Sequence, residues 1–568
     1  IAGLLWAAIR VQPPTPLPAN APADQFSAGR AMADVRVLAR EPHPTGTPAA
    51  AAVIVHLESR LAALGFVVRR VVTPLPERPA KLLAKRGGDP SQPAISLVAV
   101  RAGRAPGKDA IALMAHHDSV WASPGAADDI AGVASALEIA RAIPAASQQR
   151  DLVLLFTDAE ELGLVGARAI LAPGAAADPI AEQIGVLINL EARGGGGRAM
   201  MFQTGKGNAE LVRLLARSTP MVDASSLAVT VYESLPNDTD FTPGLERGMA
   251  GLNFAFIGEA WGYHSPMMTP DRLDQGGLQH LGESGLGITR ALLTADALPV
   301  RDSNAVFANA PLLGLLVYLP PMGWALLGLA TAMVVIAAWR RRADWTVSGQ
   351  MLSIGQAVLV LILSGVLMWG LNLLSGSVGA EYYDRLAALP RLEAVAGLAA
   401  LAVLLVTASA PAGKLWERWL GWVLLCLLGT LALQVWLPGA TPILLWPTLL
   451  AAAGMLIASG SARPGMLQLG LAVVLAVPGI VFVAELAHFL MLGVGAPTPY
   501  AAAPLLLPVL ALVAPLLPDG PVLAGQRRPA QLAAGAAVLL AAGLALWVNL
   551  DPVAPSVPPY AGTEKSQG

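Results

Sequence analysis

The sequence predicts two architectures in one chain: an α/β domain with a mixed, mostly parallel sheet sandwiched by helices, then an all-α multi-span transmembrane domain. Three observations lead there. Up to about residue 305, charges, glycines and short apolar runs are interspersed, whereas beyond it apolar segments of membrane-crossing length follow one another. Within the first part, β-branched apolar runs alternate with stretches of helical spacing, the order that builds a helix-covered sheet. At 568 residues the chain also exceeds what one core accommodates.

In chain order, the apolar run Ile1–Ile9 is followed by Arg10 and the proline-rich stretch Val11–Ala21. With no initiator methionine, it reads as the trimmed end of a first membrane helix or an uncleaved signal anchor, so residues 1–21 are assigned to an N-terminal transmembrane segment and linker. Residues 22–305 form the α/β domain. Ala50–Leu64 reads as a helix closed by Gly65, and Phe66–Val72, Ile95–Val100, Ile111–Ala115 and Leu152–Thr157 read as strands. Between the last two, Ala126–Ile143 carries apolar residues at helical spacing with Asp128 and Asp129 near its start. Loops at the carboxyl ends of such strands are where a site is expected.

Residues 306–550 hold eight predicted spans, roughly 312–338, 350–373, 393–411, 419–437, 442–459, 466–491, 499–517 and 530–549, each near the ~20 residues a bilayer requires. Residues 551–568 are a C-terminal tail. Alternate short loops carry Arg340, Arg341, Arg342, Lys414, Arg418, Arg463, Arg527 and Arg528, while the intervening ones carry only Arg385 and Arg391. That excess places the first set in the cytoplasm. With the N-terminal segment counted, the first domain then lies on the other side, periplasmic or lumenal.

Composition narrows the chemistry. Thirty-seven Lys and Arg against 39 Asp and Glu, with no basic face, give no case for nucleic acid. The single cysteine, Cys426, lies in an apolar run, so neither a disulfide framework nor a thiolate site is available. A metal site must draw on His, Asp and Glu.

Those residue types occur in a telling order. His116 and Asp118 end an apolar strand two residues apart and so share a face. One suits metal ligation; Asp118 suits the role of orienting the imidazole. Asp128 follows a Pro124–Gly125 turn, where its two oxygens can span two cations, and Asp129 suits a helix N-cap. Glu160 and Glu161 follow the strand Leu152–Thr157; one suits a ligand, the other a general base, and spacing alone leaves open which. Glu191 ends the apolar run from Ile184, and His264 lies between Tyr263 and Ser265. Together these supply His116, Asp128 and Glu191 for one ion and Asp128, Glu161 and His264 for another, nitrogen and oxygen donors suited to zinc. Asn237, Asp238 and Asp240 are candidate cleft-lining residues, although a turn explains each alone.

The succession His-x-Asp, Gly-Ala-x-Asp-Asp, Glu-Glu, Asn-Leu-Glu and Tyr-His-Ser-Pro resembles metallopeptidase family twenty-eight, the co-catalytic di-zinc aminopeptidases, whose relatives include glutamate carboxypeptidase and the glutaminyl cyclases. The resemblance covers about residues 40–295, including His43-Pro44-Thr45-Gly46-Thr47. It implies a zinc aminopeptidase-like fold, two zinc ions held by His116, Asp128, Glu161, Glu191 and His264, Asp118 as orienter and Glu160 as base. The order of one span, a peptidase domain and several further spans is similar to the membrane-anchored subgroup, which includes endoplasmic-reticulum metallopeptidase and the fungal vacuolar membrane protease. Two departures stand out: Glu191 replaces a shorter Asp common in soluble members, and His117 replaces a tyrosine and faces away from His116.

The function expected is therefore a membrane-anchored zinc exopeptidase, an aminopeptidase, cleaving peptides with a water bridging the metals. Its alternatives are a glutaminyl cyclase-like acyltransferase, and a peptide-binding or transport protein whose soluble domain is not catalytic. Bearing on the last, Glu485 and His488 share one helix face inside a predicted span, as functional groups or as side chains reaching for the interface.

Overall fold

Among the described residues eight strands form one sheet: β1 (Val67–Thr73), β2 (Ala94–Arg101), β3 (Ala110–His116), β4 (Leu152–Thr157), β5 (Ile184–Ala192), β6 (Gly196–Thr204), β7 (Asp223–Ala224) and β8 (Ala250–Gly258). Their spatial order is β1-β2-β4-β3-β5-β8-β6-β7. The centre, β4-β3-β5-β8, is parallel, and antiparallel pairing appears where β1, β2 and β6 join. In this computed structural model the described residues are 2–105, 107, 109–174, 177–378, 382–409, 414–461, 466–516 and 527–551. They fall into two units, one of residues 12–308 and 314–317, the other of residues 2–11, 309–313 and 318–551.

Strands β3 and β4 are buried along their whole length, which is why they read as unbroken apolar runs. Helices cover both faces. On one, Ile130–Ala142 packs on β3 and β5 and against Gln275–Thr294. On the other, Val165–Leu171 and Phe241–Glu246 close over Ala112, Met114, Val153, Leu155 and Leu187. Edge strand β1 is largely exposed and carries Arg69 and Arg70, charges that discourage edge-to-edge pairing.

Local signals explain the helix starts. Thr47 accepts the Ala50 N–H (3.1 Å) and Pro48 occupies the first turn of the helix Pro48–Ala63. The helix expected from Ala126 begins instead at Ile130, because Asp129 is its N-cap and accepts from the Gly132 N–H (3.2 Å). Gly132 admits this arrangement: a Cβ there would lie 2.4 Å from the Leu190 carbonyl oxygen. Strands β6, β7 and β8 and the helix Gln275–Thr294 were not among the elements expected from sequence. Glycines interrupt their apolar pattern, and β8 takes its place between β5 and β6 only through long-range pairing.

The second unit is helical. Among the described residues six helices are long and apolar enough to cross a membrane: Pro320–Arg340, Val347–Leu374, Leu389–Ser409, Leu415–Trp436, Met466–Gly495 and Arg527–Leu550. Two of the eight expected spans differ. Pro442–Ala458 has 17 residues, and the expected 499–517 segment is a composite, with 3-10 turns flanking the helix Leu506–Val513. Prolines at 499, 504 and 508 explain the composite, since each removes a backbone donor. Leu389–Ser409 meets Arg527–Leu550 through Ala399, Ala402, Ala534, Ala537, Ala541 and Ala545, small residues that let backbones approach. Arg463 and the tail beyond Asp551 lie outside the described residues.

Glu485 and His488 are both paired. The Arg10 guanidinium, at the end of the helix Ala2–Arg10, donates to Glu485, and His488 Nδ1 meets Glu393 Oε1 at 2.7 Å. Mutual pairing is how ionisable groups persist in an apolar bundle.

Candidate metal centre

The carboxyl ends of β3, β4, β5 and β8 deliver the expected residues to one place. His116 is the last residue of β3, Glu160 and Glu161 follow β4 by a short turn, Glu191 is the penultimate residue of β5, and His264 follows β8. In β5 the period of two carries the face of Leu187, which is packed in the core, through Asn189 to Glu191. All these side chains are buried, His116 at 1% and His264 at 2% exposure.

Asp128 sits between the two imidazoles. Its Oδ1 lies 3.0 Å from His116 Nε2 and its Oδ2 2.9 Å from His264 Nε2. Glu161 Oε1 also reaches His264 Nε2, at 2.9 Å. Donor atoms of His116, Asp128 and Glu191 lie within 4.8 Å of one another, as do those of Asp128, Glu161 and His264, and those of His116, Glu160 and Glu161.

Asp118 acts differently from expectation in one respect. His116 Nδ1 is held by the backbone carbonyl of Asp118 (3.0 Å), while the Asp118 carboxylate is 3.6 Å away, too far for a hydrogen bond. That carboxylate instead accepts the backbone N–H groups of Glu160 (3.1 Å) and Glu161 (3.2 Å), fixing the turn that presents both glutamates. Asp129, besides capping its helix, accepts the His116 N–H (3.2 Å). His117 turns away as expected and meets the Ile95 carbonyl at 3.0 Å.

A second layer steadies the first. Asp158 accepts the Thr45 hydroxyl (2.8 Å) and the N–H groups of Ile95 and Ala159 (both 2.7 Å), tying the His43–Thr47 segment and β2 to the glutamate turn. Within that turn Ala159 adopts φ of 60°, and His264 itself adopts 57°, left-handed conformations that cost a non-glycine residue about 1–3 kcal/mol. The Asn189 amide donates to Glu191 Oε1 (3.4 Å) and Asn253 Oδ1 (3.1 Å), and Asn253 in turn donates to Gln203 and Thr239. The Tyr263 ring stacks on His264, with centroids 3.7 Å apart. Of the cleft candidates, Asp240 is fully buried and takes a hydrogen bond from Thr157, whereas exposed Asp238 accepts from Thr242. Asn253 carried no sequence signal for the site, since its partners are remote in the chain, and the stretch from Asp158 to Glu161 stood out without showing that Asp158 anchors the turn.

Electrostatics reflect crowded carboxylates. Burial alone lowers the His264 imidazole, yet Glu161 and Asp128 overcome it and lift it to about 9. His116 is likewise raised against burial by Asp118 and Asp128. Burial opposes ionisation of Asp128, but the two imidazoles hold its carboxyl far below the usual range. Glu191 lies well above its ordinary value through burial, offset in part by His116 and reinforced by Glu160. Burial and the charge of Glu160 push Asp240 to about 7.

The donor set fits divalent cations. Four buried carboxylates, Asp128, Glu160, Glu161 and Glu191, converge with two imidazoles, and concentrated positive charge is what makes such a cluster tolerable. Hard oxygen and imidazole donors without thiolate suit zinc or a similar first-row ion.

Residues 96–288 match the family described as Peptidase family M28. Endoplasmic reticulum metallopeptidase 1 of Mus musculus is 35% identical over 223 residues, covering 38% of this chain and 24% of that protein. Vacuolar membrane protease of Yarrowia lipolytica is 30% identical over 204 residues, 35% of this chain and 20% of that protein. The matched region thus spans a quarter or less of these relatives. Among solved structures, an aminopeptidase from Aneurinibacillus sp. strain AM-1 is 15% identical with a TM-score of 0.38, covering 50% of this chain and 97% of that one.

Proposed function

We propose, from the Peptidase family M28 domain that residues 96–288 carry, that the chain is a membrane-anchored di-zinc exopeptidase of aminopeptidase type. The observation that supports it most is Asp128, whose two oxygens each face a different imidazole and so belong to two donor triads at once. His116, Asp128 and Glu191 would hold one ion, and Asp128, Glu161 and His264 the other. When bound, the ions would polarise the scissile carbonyl and lower the pKa of a bound water towards about 7.

The chain's own residues do the rest. Glu161 is assigned as ligand because its carboxylate reaches His264. Glu160, held in the same turn by Asp118, accepts the proton of the attacking water and passes it to the departing amine. Asn189 fixes the Glu191 carboxylate, and Asp118 holds the His116 ring through its carbonyl.

The division into residues 1–21, 22–305, 306–550 and 551–568 is part of this proposal, as is the placement of the peptidase domain outside the cytoplasm, for which the clustered basic loops argue. Metal analysis of the purified full chain, with cleavage of free, N-blocked and C-blocked peptides in the presence and absence of a chelator, tests the activity. Two zinc ions per chain and chelator-sensitive release of N-terminal residues are expected. Conversion of a glutamine-initiated peptide to its pyroglutamyl form, with no cleavage of any peptide, would refute hydrolysis.

A further inference from the structure

Resting on that reading, we infer that Arg193 binds a carboxylate of the substrate, so that the site selects anionic peptides over neutral ones. Arg193 stands one residue beyond β5 and two beyond Glu191, which continues the face of Leu187, Asn189 and Glu191 towards the metal centre. Its backbone N–H donates to the Phe256 carbonyl (3.0 Å), so β5 and β8 stay paired through it and its position is fixed. The following chain is pinned as well: a Cβ on Gly194 would lie 2.0 Å from the Gly258 carbonyl oxygen.

The guanidinium itself is exposed, and among the described residues it makes no hydrogen bond or ion pair. Arg30, Arg60, Arg69, Arg70, Arg141, Arg168, Arg198 and Arg247 of the same unit are each paired with a carboxylate; Arg36, Arg40, Arg78, Arg104, Arg213 and Arg217 are not, and among the described residues Arg193 is the one of these that stands two residues from a proposed metal ligand. Its charge reaches the two tyrosines flanking the centre. Tyr263 is held up by burial and by Asp128, Glu161 and Glu160, Tyr232 by burial and by Glu191, and in both Arg193 is the opposing charge. The Tyr232 hydroxyl, within reach of the Arg193 charge, is buried with no hydrogen-bond partner among the described residues and so is a free donor. Two divalent ions would balance the four carboxylates Asp128, Glu160, Glu161 and Glu191, which leaves the charge of Arg193 for an anion brought by the ligand. A guanidinium fork matches a carboxylate geometrically.

That carboxylate has two sources, the free C-terminus of a short peptide or an acidic side chain. The test uses the full chain in detergent, comparing a dipeptide acid with its amide, and a Glu-initiated tripeptide amide with its Gln counterpart. Cleavage is measured with zinc, and equilibrium binding is measured with chelator present. Wild type is expected to favour the anionic member of one pair by about 10- to 100-fold, the range of a hydrogen bond to a charged group. In Arg193→Ala that ratio should fall towards one, and Arg193→Lys should restore part of it. Preference for the acid dipeptide identifies the terminal carboxylate; preference for the Glu peptide identifies the side chain. Equal handling of both pairs by wild type, or a ratio unchanged in Arg193→Ala, overturns the inference while leaving hydrolysis in place. Anion-selective, Arg193-dependent binding without cleavage would instead keep the inference and refute the peptidase reading.

Discussion

Asp128 places one carboxylate oxygen 3.0 Å from His116 Nε2 and the other 2.9 Å from His264 Nε2, so one short side chain joins two strand ends that lie far apart in sequence. Replacing Asp128 with Asn keeps the shape but halves the anionic donors between the ions. Metal content should fall from two ions to one or fewer per chain, and kcat/KM by at least about 100-fold, the scale on which even supporting groups of metal sites act. Atomic absorption on the purified variant and an aminoacyl-amide assay measure both; full occupancy with normal turnover would contradict the shared-ligand arrangement.

Glu160→Gln separates ligation from proton transfer. The variant should retain two ions while turnover drops by about 10²–10⁴-fold, the range for loss of a general base. Glu161→Gln should lose an ion as well as activity. If Glu160→Gln instead lost metal and Glu161→Gln did not, the two roles would have to be exchanged.

Zinc affinity should rise with pH. With His264 lifted to about 9 in the ion-free site, its imidazole is protonated at neutrality, and the ion must displace that proton. Each unit of pH below about 9 should therefore weaken apparent affinity roughly tenfold for that one proton. Competition against a chelating dye at three pH values reads the slope, and a flat line would rule out the coupling. For the ion-free protein the sign reverses. The stability that His264 contributes is complete below its ordinary 6.5 and is lost as pH rises through about 9, so the melting temperature of chelated protein should decline over that interval.

Asp158→Ala should be costly without touching a ligand. It strips the acceptor from the Thr45 hydroxyl and the Ile95 and Ala159 N–H groups, and one buried unsatisfied group costs about 1–3 kcal/mol. A lower melting temperature together with weaker zinc binding is expected, because the glutamate turn loses its anchor. Asp158→Asn should be milder, since its carbonyl still accepts.

In the helical unit, Arg10→Ala and Glu485→Ala each remove one half of a part-buried ion pair, so each should destabilise by less than the about 3–5 kcal/mol of a fully buried one. The double variant should be more stable in detergent than the two single effects sum to. Strict additivity of melting temperatures would show the pair to be uncoupled.

Much of this was legible in the chain. β-Branched apolar runs located β1 to β4 within a residue, and in β3 and β4 burial on both faces makes those runs unbroken. The five proposed ligands were legible because their motifs sit where apolar strands stop, and strands in a parallel sheet end on one edge. Glycine-rich β6 and β8 were not, since pairing with distant partners rather than local pattern makes them strands. The atom by which Asp118 serves His116 was also hidden, because a His-x-Asp spacing is the same whether carbonyl or carboxylate makes the contact.

By itself, then, the sequence determined the division between a polar α/β part and an apolar helical part and singled out the candidate metal-donor residues among His, Asp and Glu. Hydrophobic periodicity and donor type are properties of the residues alone. The tertiary structure decided that Asp128 stands between the two imidazoles, that Asp158 and Asn253 brace the centre, that Glu485 and His488 are paired, and that the Arg193 guanidinium makes no hydrogen bond or ion pair among the described residues. These are contacts between segments tens to hundreds of residues apart, and only the sheet order and helix packing set their distances.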